Sequence, residues 1–138
     1  MSSQLTDGLS LVTQAAFLCN NRQELLLVKL PDNRWQLPGG KVKHNEPWQE
    51  ALKREIAEET LITDIKVHQP LYIDNWHTTT HNYYRAYFLC TTLQREVTLS
   101  ESHIAYEWIS PETDLAQRTF THATLRKHIA RFFHDYVR

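Results

Sequence analysis

Apolar residues follow the short period of β-strands over much of this chain. Runs rich in aliphatic and aromatic residues predict five strands, at residues 9–18, 24–30, 65–74, 83–92 and 105–109. Polar residues at 20–23 separate the first two runs, and a hairpin loop is expected there. The most apolar segments of the chain are therefore expected to form a sheet.

The segment after the second strand contains two of the three glycines in the chain. A turn is predicted at 31–33, and residues 35–37 are expected to be extended. Pro38 ends this extended piece, and Gly39 and Gly40 are predicted to open a loop. Because glycine is scarce elsewhere, these two positions are expected to serve a special backbone shape or a close approach of another group.

Two stretches show the longer period of amphipathic helices. The sequence QEALKREIAEE has no helix breaker, Pro47 is acceptable in its first turn, and Glu46 and Glu50 suit the positive end of the helix dipole. Residues 121–136 predict a second helix with apolar residues at helical spacing, namely Leu125, Ile129, Phe132 and Phe133. The sequence SPE at 110–112 is a further helix-start signal.

Strands and helices alternate irregularly, with several hairpin-like strand pairs. This order predicts an α/β protein in which helices pack on a mixed β-sheet, in one domain over residues 1–138. The chain is 41% hydrophobic and 22% charged, which is ordinary for a globular protein. Cys19 and Cys90 are far apart in sequence and are expected to be reduced and buried.

One side of the first predicted helix combines apolar and acidic residues. At about 100° per residue, the apolar arc is made of Trp48, Ala51, Leu52 and Ile56. Glu55 and Glu59 fall inside that arc, where side chains are expected to face the core, and Glu58 lies at its edge. A buried carboxylate without a partner costs several kcal/mol or takes up a proton.

A divalent cation would resolve this conflict. Three carboxylates without a histidine or cysteine in the helix favour Mg²⁺, or alternatively Mn²⁺, over zinc. Mg²⁺ in proteins commonly bridges to substrate phosphates, so the spacing suggests phosphate chemistry. The alternative interpretation is a solvated acidic face on a helix with a narrow apolar contact, and the helix pattern alone leaves both open.

Charge and hydropathy exclude several classes of protein. The net charge of −1 gives no indication of a broad nucleic-acid or membrane-surface patch, although a small site can still bind a nucleotide. No apolar run approaches the roughly 20 residues that span a membrane. The first residues have neither the basic region nor the apolar run of a signal peptide, so we expect a cytoplasmic protein.

The segment GKVKHNEPWQEALKREIAEETLI, at 40–62, resembles the signature of the Nudix hydrolase family, the Nudix box. The box has a glycine, five residues, a glutamate, seven residues and then Arg-Glu-apolar-x-Glu-Glu-x-Gly-apolar. The positions that match in register are Gly40, Glu46, Arg54, Glu55, Ile56, Glu58, Glu59 and Ile62. The preceding WQLPGG is similar to the family's usual lead-in. The resemblance implies a single-domain α/β/α sandwich with a mixed sheet between helices.

Leu61 departs from the family's pattern, which has glycine at this position. In a loop–helix–loop, that glycine would take a positive φ and end the helix. A leucine resists positive φ by about 1 kcal/mol or more. Either the helix ends differently in this chain or Leu61 is strained.

The resemblance implies functional roles for residues of the box and one beyond it. The implied metal-binding residues are Gly40, Glu55, Glu58 and Glu59, and the implied catalytic residues are Arg54, Glu55, Glu58 and Glu101. Arg54 would orient a glutamate through charge-assisted hydrogen bonds, and Glu46 would support the metal site. Many family members use a further glutamate before a late strand, for which Glu101 is the candidate. Glu107 and a merely solvated loop acid are the alternatives.

The residues expected to bind substrate are Trp35, Gly39, Lys41 and Tyr83. The glycines would let the backbone approach the phosphates. Tyr83, with Trp76 and Tyr84, could stack on a nucleobase, although aromatic residues in a strand are more often part of the core.

The activity that the resemblance implies is Mg²⁺-dependent hydrolysis of a nucleoside diphosphate linked to a further group. The secondary markers typical of ADP-ribose, diadenosine polyphosphate and coenzyme A hydrolases are missing from this sequence. A (d)NTP or modified nucleotide, cleaved to nucleoside monophosphate and pyrophosphate, is therefore the favoured substrate. The alternatives are an ADP-ribose, nucleotide-sugar or dinucleoside polyphosphate hydrolase, and a non-catalytic nucleotide-sensing module. We expect a monomer or homodimer that binds no nucleic acid and no membrane.

Overall fold

This computed structural model describes residues 10–137 of the chain. Within that range the chain forms seven strands and two helices. The strands are β1 (Ser10–Cys19), β2 (Leu25–Lys29), β3 (Trp35–Gln36), β4 (Gly39–Lys41), β5 (Lys66–His77), β6 (Asn82–Thr91) and β7 (Ala105–Ile109). The helices are α1 (Trp48–Thr60) and α2 (Leu125–Tyr136). The five predicted strands are confirmed with small shifts at their ends, and the predicted start at Leu9 lies outside the described residues.

The strands form one mixed sheet in the order β3-β2-β1-β6-β5. β1 and β6 are parallel, with Ser10 opposite Asn82 at one end and Cys19 opposite Thr91 at the other. The remaining pairs are antiparallel, and β4 and β7 join the edges of β1 and β2 respectively. The prediction of a mixed sheet is confirmed.

A hydrophobic core lies on each face of the sheet, because successive residues of a strand point to opposite sides. On one face, Leu52 and Ile56 of α1 pack with Ala16 and Leu18 of β1. On the other face, the core includes Phe17 and Tyr87 of the sheet with Leu125, Ile129, Phe132 and Phe133 of α2. The molecule is therefore the α/β/α sandwich that was expected.

Both cysteines are buried, and neither forms a disulfide. Cys19 belongs to the core on the α2 side and Cys90 to the core on the α1 side. Burial raises the pKa of each thiol to about 12, so both act as small apolar residues. The expectation of buried, reduced cysteines is confirmed for the fold described here.

Helix α1 begins directly after Pro47 and ends at Leu61. Pro47 is extended, with φ −60° and ψ 140°, and its carbonyl accepts a hydrogen bond from the Ala51 N–H at 3.0 Å. Leu61 takes a left-handed conformation with φ 57° and ψ 18°, and its N–H donates to the Ala57 carbonyl. The helix thus ends as the family's glycine would end it, and Leu61 carries the strain. Within residues 10–137, no helix is long and apolar enough to cross a bilayer.

The helix-start prediction at residues 110–112 is wrong. Those residues form a turn, in which the Thr113 N–H donates to the Ser110 carbonyl and the Ser110 N–H donates to the Thr113 hydroxyl. The carboxylate of Asp114 then accepts a hydrogen bond from the Ala116 N–H. Short polar side chains therefore bind the backbone groups that a helix would have used.

Two predicted boundaries are also wrong, because contacts distant in sequence hold the backbone extended. Trp35 exchanges hydrogen bonds with Thr119 and Thr121, so that Phe120 bridges to β3 and α2 begins only at Leu125. Gly39 and Gly40 do not open a loop: they form strand β4, which pairs with β1. Sequence periodicity cannot report pairings of this kind.

The left-handed backbone at Leu61 predicts that Leu61→Gly stabilises the protein. Leu61 is 59% exposed, so its removal loses little packing, and relief of the strain outweighs the greater freedom of glycine in the unfolded chain. We expect the free energy of unfolding in urea to rise by about 1 kcal/mol. Leu61→Ala, which keeps a Cβ atom, should stay close to wild type. An equal effect of both substitutions would contradict the strain at this position.

Candidate active site

Arg54 is the centre of an ion-pair cluster on helix α1. Its Nε and Nη2 atoms donate to the two carboxylate oxygens of Glu46 at 2.7 and 3.0 Å. Its Nη1 atom donates to Glu55 at 3.0 Å and lies 3.3 Å from Glu58, while Nη2 also donates to the Lys41 carbonyl at 3.1 Å. One guanidinium group therefore joins three glutamates of the box to strand β4, as a planar, five-donor group can.

The pair of Glu46 and Arg54 is the firmest contact of this cluster. The Arg54 hydrogen bonds, together with one from the Lys43 N–H, lower the pKa of Glu46 to about 2. The carboxylate of Glu46 in turn raises the pKa of Arg54 above its usual range. The loop before α1 is thereby fixed to the middle of the helix at every physiological pH.

The paired glycines make close approaches possible on both sides of β4. A Cβ atom at Gly40 would lie 2.4 Å from the carboxyl carbon of Glu55, and one at Gly39 would lie 2.1 Å from the Gln14 carbonyl oxygen. The Gly39 N–H donates to the Glu59 carboxylate at 3.2 Å. The expectation that these glycines serve a close approach is confirmed, since any side chain at Gly40 would displace Glu55.

Glu59 is the buried carboxylate of the site, with 9% of the residue exposed. Burial raises the pKa of Glu59 to about 8, and the charges of Glu55 and Glu58 add to this shift, whereas the Gly39 N–H and Arg85 oppose it. The helical wheel predicted this orientation, and it is confirmed. At neutral pH this burial favours the protonated form of Glu59, and a cation would have to displace that proton to bind the carboxylate.

Glu55 and Glu58 are directed to Arg54. The Glu55 side chain is 20% exposed and the Glu58 side chain 57% exposed. Within residues 10–137, no three acidic, histidine or cysteine side chains are gathered into a metal-ligand cluster. For an ion to bind Glu55, Glu58 and Glu59 together, the side chains of Glu55 and Glu58 would have to turn away from Arg54. Their oxygen-only donor set, together with the buried carboxyl group of Glu59, fits Mg²⁺ or Mn²⁺.

Glu101 lies on an exposed turn beside the carboxyl end of α1. Its neighbour Ser100 donates its N–H to the Glu59 carbonyl at 3.1 Å, which holds this segment against the helix. Glu107 instead forms an ion pair with Arg118 at 2.9 Å. The structure thus brings the Glu101 segment to the site, and the role of Glu101 itself stays a prediction.

The expected substrate-binding residues are divided among three places. Gly39 and Lys41 lie on β4 next to Arg54. Trp35 lies on β3, with the guanidinium carbon of Arg118 5.0 Å from its ring centre. Tyr83 stacks on Trp76, with ring centres 5.2 Å apart and planes 5° from parallel.

Sequence reasoning missed two polar residues near this site, Thr13 and Arg85. The Arg85 Nε atom donates to the Thr13 hydroxyl at 2.9 Å. Both lie in segments that were interpreted as apolar strands. A single arginine within such a run is the signal that could have identified them, because an arginine inside a strand requires a partner.

Comparisons with known proteins identify the family of this chain. A family model described as the NUDIX domain matches residues 10–132. The nucleoside triphosphatase NudI of Escherichia fergusonii is 31% identical over 128 residues, covering 78% of this chain and 86% of that protein. The crystal structure of a MutT protein from Methanosarcina mazei Go1 shares 30% identity with a TM-score of 0.78, and the match covers 91% of this chain and 94% of that one.

A more distant structure shows the same fold. A C. elegans Ap4A hydrolase, at 21% identity, has a TM-score of 0.72, with 92% of this chain and 97% of that chain covered. The matched region includes the whole box and the sheet that supports it. The chain belongs to the NUDIX domain family.

Proposed function

We propose that this protein is a Mg²⁺-dependent hydrolase that cleaves nucleoside triphosphates, including modified ones, to nucleoside monophosphate and pyrophosphate. The observation that carries the proposal is the buried carboxylate of Glu59, which accepts the Gly39 N–H while Glu55 lies against Gly40 and Glu58 is adjacent on the same helix. The names of the relatives support it, since NudI is described as a nucleoside triphosphatase and is 31% identical to this chain.

Glu55, Glu58 and Glu59 are the residues that would hold the metal, and the carbonyl of Gly40 is the proposed fourth protein ligand. Once bound, the ion would polarise a phosphoryl oxygen and lower the pKa of the attacking water. The chain's own contribution is to carry three carboxylates on one helix, of which Glu59 is buried. A divalent cation would neutralise the charge of these carboxylates and could bind the substrate phosphates at the same time.

Arg54 is the proposed positioning residue for these ligands. Its bidentate contact with Glu46 does not involve the metal-binding carboxylates, so Arg54 stays in place when Glu55 and Glu58 turn. The remaining N–H groups can then orient the Glu55 carboxylate from behind. The Gly39 N–H likewise orients the Glu59 carboxylate, to which it donates a hydrogen bond.

Glu101 is proposed as the general base or as an additional ligand. Two backbone hydrogen bonds, from Thr98 to the Thr60 carbonyl and from Ser100 to the Glu59 carbonyl, attach its segment to the end of α1. Glu101 is exposed on this turn, and the turn is attached next to Glu59 at the end of α1. Both properties suit a base that accepts a proton from water.

Hydrolysis of ADP-ribose, nucleotide sugars or dinucleoside polyphosphates would use the same carboxylates. These activities differ from nucleoside triphosphate hydrolysis in the group that leaves, so the released product distinguishes them. A non-catalytic module would be expected to have lost acidic residues of the box, and all of them are present.

The exposed position of Glu58 permits a clean test of catalysis. With Mg²⁺, the wild-type protein should release pyrophosphate rather than orthophosphate from at least one nucleoside triphosphate in a panel that includes ADP-ribose and dinucleoside polyphosphates. Glu58→Gln should lower kcat by about a hundredfold or more, because it removes a charged ligand. Glu50→Gln, the same change in the exposed first turn of α1, should retain full activity. Nucleotide binding without any turnover would refute the hydrolase.

The raised pKa of Glu59 predicts how pH changes the stability of the metal-free protein. The folded protein keeps a proton that the unfolded chain releases near the ordinary pKa of 4.5, so stability falls as the pH rises from about 4.5 towards about 8. Glu59→Gln removes this cost. Its melting temperature should exceed that of wild type by a few degrees at pH 8 and match it near pH 4.5.

Addition of Mg²⁺ should reverse that order at pH 8. Wild type should gain melting temperature because the ion binds the folded state, whereas Glu59→Gln should gain much less. Glu50→Gln serves as the control and should respond to Mg²⁺ as wild type does. If Glu59→Gln were destabilised at pH 8 without metal, the carboxyl group of Glu59 would contribute more as a hydrogen-bond acceptor than it costs as a charge.

A further inference from the structure

Gln14 carries a buried amide oxygen that has no hydrogen-bond partner. The residue lies in the middle of β1 with 4% of its surface exposed. Its Oε1 atom accepts no hydrogen bond from any residue in the described range 10–137. A buried acceptor without a donor is rare in folded proteins, because it loses its bonds to water and gains nothing in return. The missing donor is therefore expected to come from a bound group.

The strands on either side of Gln14 offer it no polar side chain. Gln14 lies opposite Gly40 on β4 and opposite Ala86 on β6. Residues directly opposite each other in a sheet point to the same face and have their Cβ positions about 5 Å apart. Gly40 has no side chain and Ala86 has only a methyl group. A donor for Oε1 must therefore approach from the space over the sheet.

That space belongs to the face on which helix α1 and its glutamates lie. Ala16 packs in the same core as Ile56 of α1, and residues two apart in a strand point to the same side. The carboxyl group of Glu55 covers Gly40, since a Cβ atom at Gly40 would be 2.5 and 2.7 Å from the two carboxyl oxygens. Because Gly40 and Gln14 are directly opposed, the Gln14 amide lies beside the Glu55 carboxylate.

The groups already at the site do not supply the donor. A carboxylate such as that of Glu55 only accepts hydrogen bonds, and the Arg54 Nη1 atom donates to Glu55 and Glu58. The oxygens of a substrate phosphate are acceptors in the same way. A hydrated divalent cation suits both neighbours, because the ion can bind the carboxylate while one of its waters donates to the amide oxygen.

We propose that Gln14 is a positioning residue of the metal site, whose Oε1 atom accepts a hydrogen bond from a water molecule in the hydration shell of the bound Mg²⁺. The inference rests on the proposed function, because it places the ion at Glu55, Glu58 and Glu59. Mg²⁺ keeps several waters in protein sites, and acceptors around those waters raise its affinity and orient the shell. At Gln14, β1 is paired on both sides, so a rigid element holds this acceptor.

Calorimetric titration with Mg²⁺ tests the inference without any substrate. Gln14→Met keeps the length of the side chain and removes the acceptor, so it should weaken Mg²⁺ binding by about tenfold or more. Gln69→Met makes the same change at an exposed position of β5, at the edge of the sheet, and should bind Mg²⁺ as wild type does. Equal affinities of wild type and Gln14→Met would overturn the inference.

The melting temperature of the metal-free protein separates this role from a structural one. Because Oε1 has no partner in the folded chain, Gln14→Met should melt at or above the temperature of wild type when no metal is present. With Mg²⁺ the order should reverse, since wild type binds the ion more tightly. A metal-free melting temperature well below that of wild type would show that the amide stabilises the fold itself and would contradict the proposal.

Gln14→Glu distinguishes the amide oxygen from the amide N–H groups. It keeps acceptor oxygens at the same distance from β1 and removes the donors, so its Mg²⁺ affinity should equal or exceed that of wild type. If Gln14→Glu bound Mg²⁺ as weakly as Gln14→Met, the N–H groups would be the part of Gln14 that matters, and the role assigned to Oε1 would be wrong.

The waters on bound Mn²⁺, counted from the relaxation of water protons, distinguish a hydrogen bond through water from a direct bond to the ion. Gln14→Met should leave their number unchanged, because Gln14 occupies no coordination position. A gain of one water in Gln14→Met would identify Oε1 as a direct ligand and contradict the proposal.

The two proposals fail in different ways. If wild type hydrolyses nucleoside triphosphates and Gln14→Met binds Mg²⁺ as tightly as wild type, the hydrolase stands and the role of Gln14 is refuted. If Mg²⁺ binding depends on Gln14 as expected while wild type hydrolyses no nucleotide, the role of Gln14 stands and the hydrolase is refuted.

Discussion

The carboxylate of Glu59 lies in a place that is almost closed to solvent, and the hydrogen-bond donor that the described part of the chain offers it is the Gly39 N–H. The rest of the site follows from this constraint. Strand β4 must bring Gly39 close enough to donate, and it can do so because Gly39 and Gly40 let it pair tightly with β1. The burial that makes Glu59 unfavourable as a free anion also makes it a strong ligand for a cation.

Arg54 stabilises the loop before α1 and the helix itself through ion pairs with glutamates. Its pairing with Glu46 ties the loop before α1 to the helix, and its spare N–H groups neutralise Glu55 and Glu58 while no ion is bound. A divalent cation would replace Arg54 as the partner of those two glutamates. Because the contact with Glu46 persists, the loop and the helix need not separate when this exchange occurs. Only side chains have to move.

The sequence predicted the inward orientation of Glu59 better than it predicted the boundaries of the strands and helices, and the roles of Glu55, Glu58 and Glu59 stay predictions. Helical spacing fixes where Glu55, Glu58 and Glu59 point, so the wheel alone showed that Glu59 faces inward. The spacing could not show that Arg54 holds Glu55 and Glu58, since that depends on side-chain rotamers.

The errors came from contacts between distant segments. The pairing of Trp35 with residues 119–121 delays α2, and the pairing of Gly39 with Ala15 turns an expected loop into a strand. Arg85 was missed for the same reason, because its partners Thr13 and Trp76 lie on two other strands. At Leu61 the local preference was overridden instead. The helix ends there in a left-handed conformation, although leucine disfavours a positive φ. Local spacing thus predicted the orientation of Glu59, and pairing between distant segments decided where the strands and the second helix begin.

The most direct test of the central claim is a crystal structure of the protein with Mn²⁺, in which anomalous scattering locates the ion. We expect a peak within bonding distance of carboxylate oxygens from Glu55, Glu58 and Glu59, with Arg54 still paired to Glu46 and released from Glu58. An ion bound elsewhere, with the contacts of Arg54 to Glu55 and Glu58 intact, would show that these glutamates form a structural ion-pair cluster and that the metal site assigned to them is wrong.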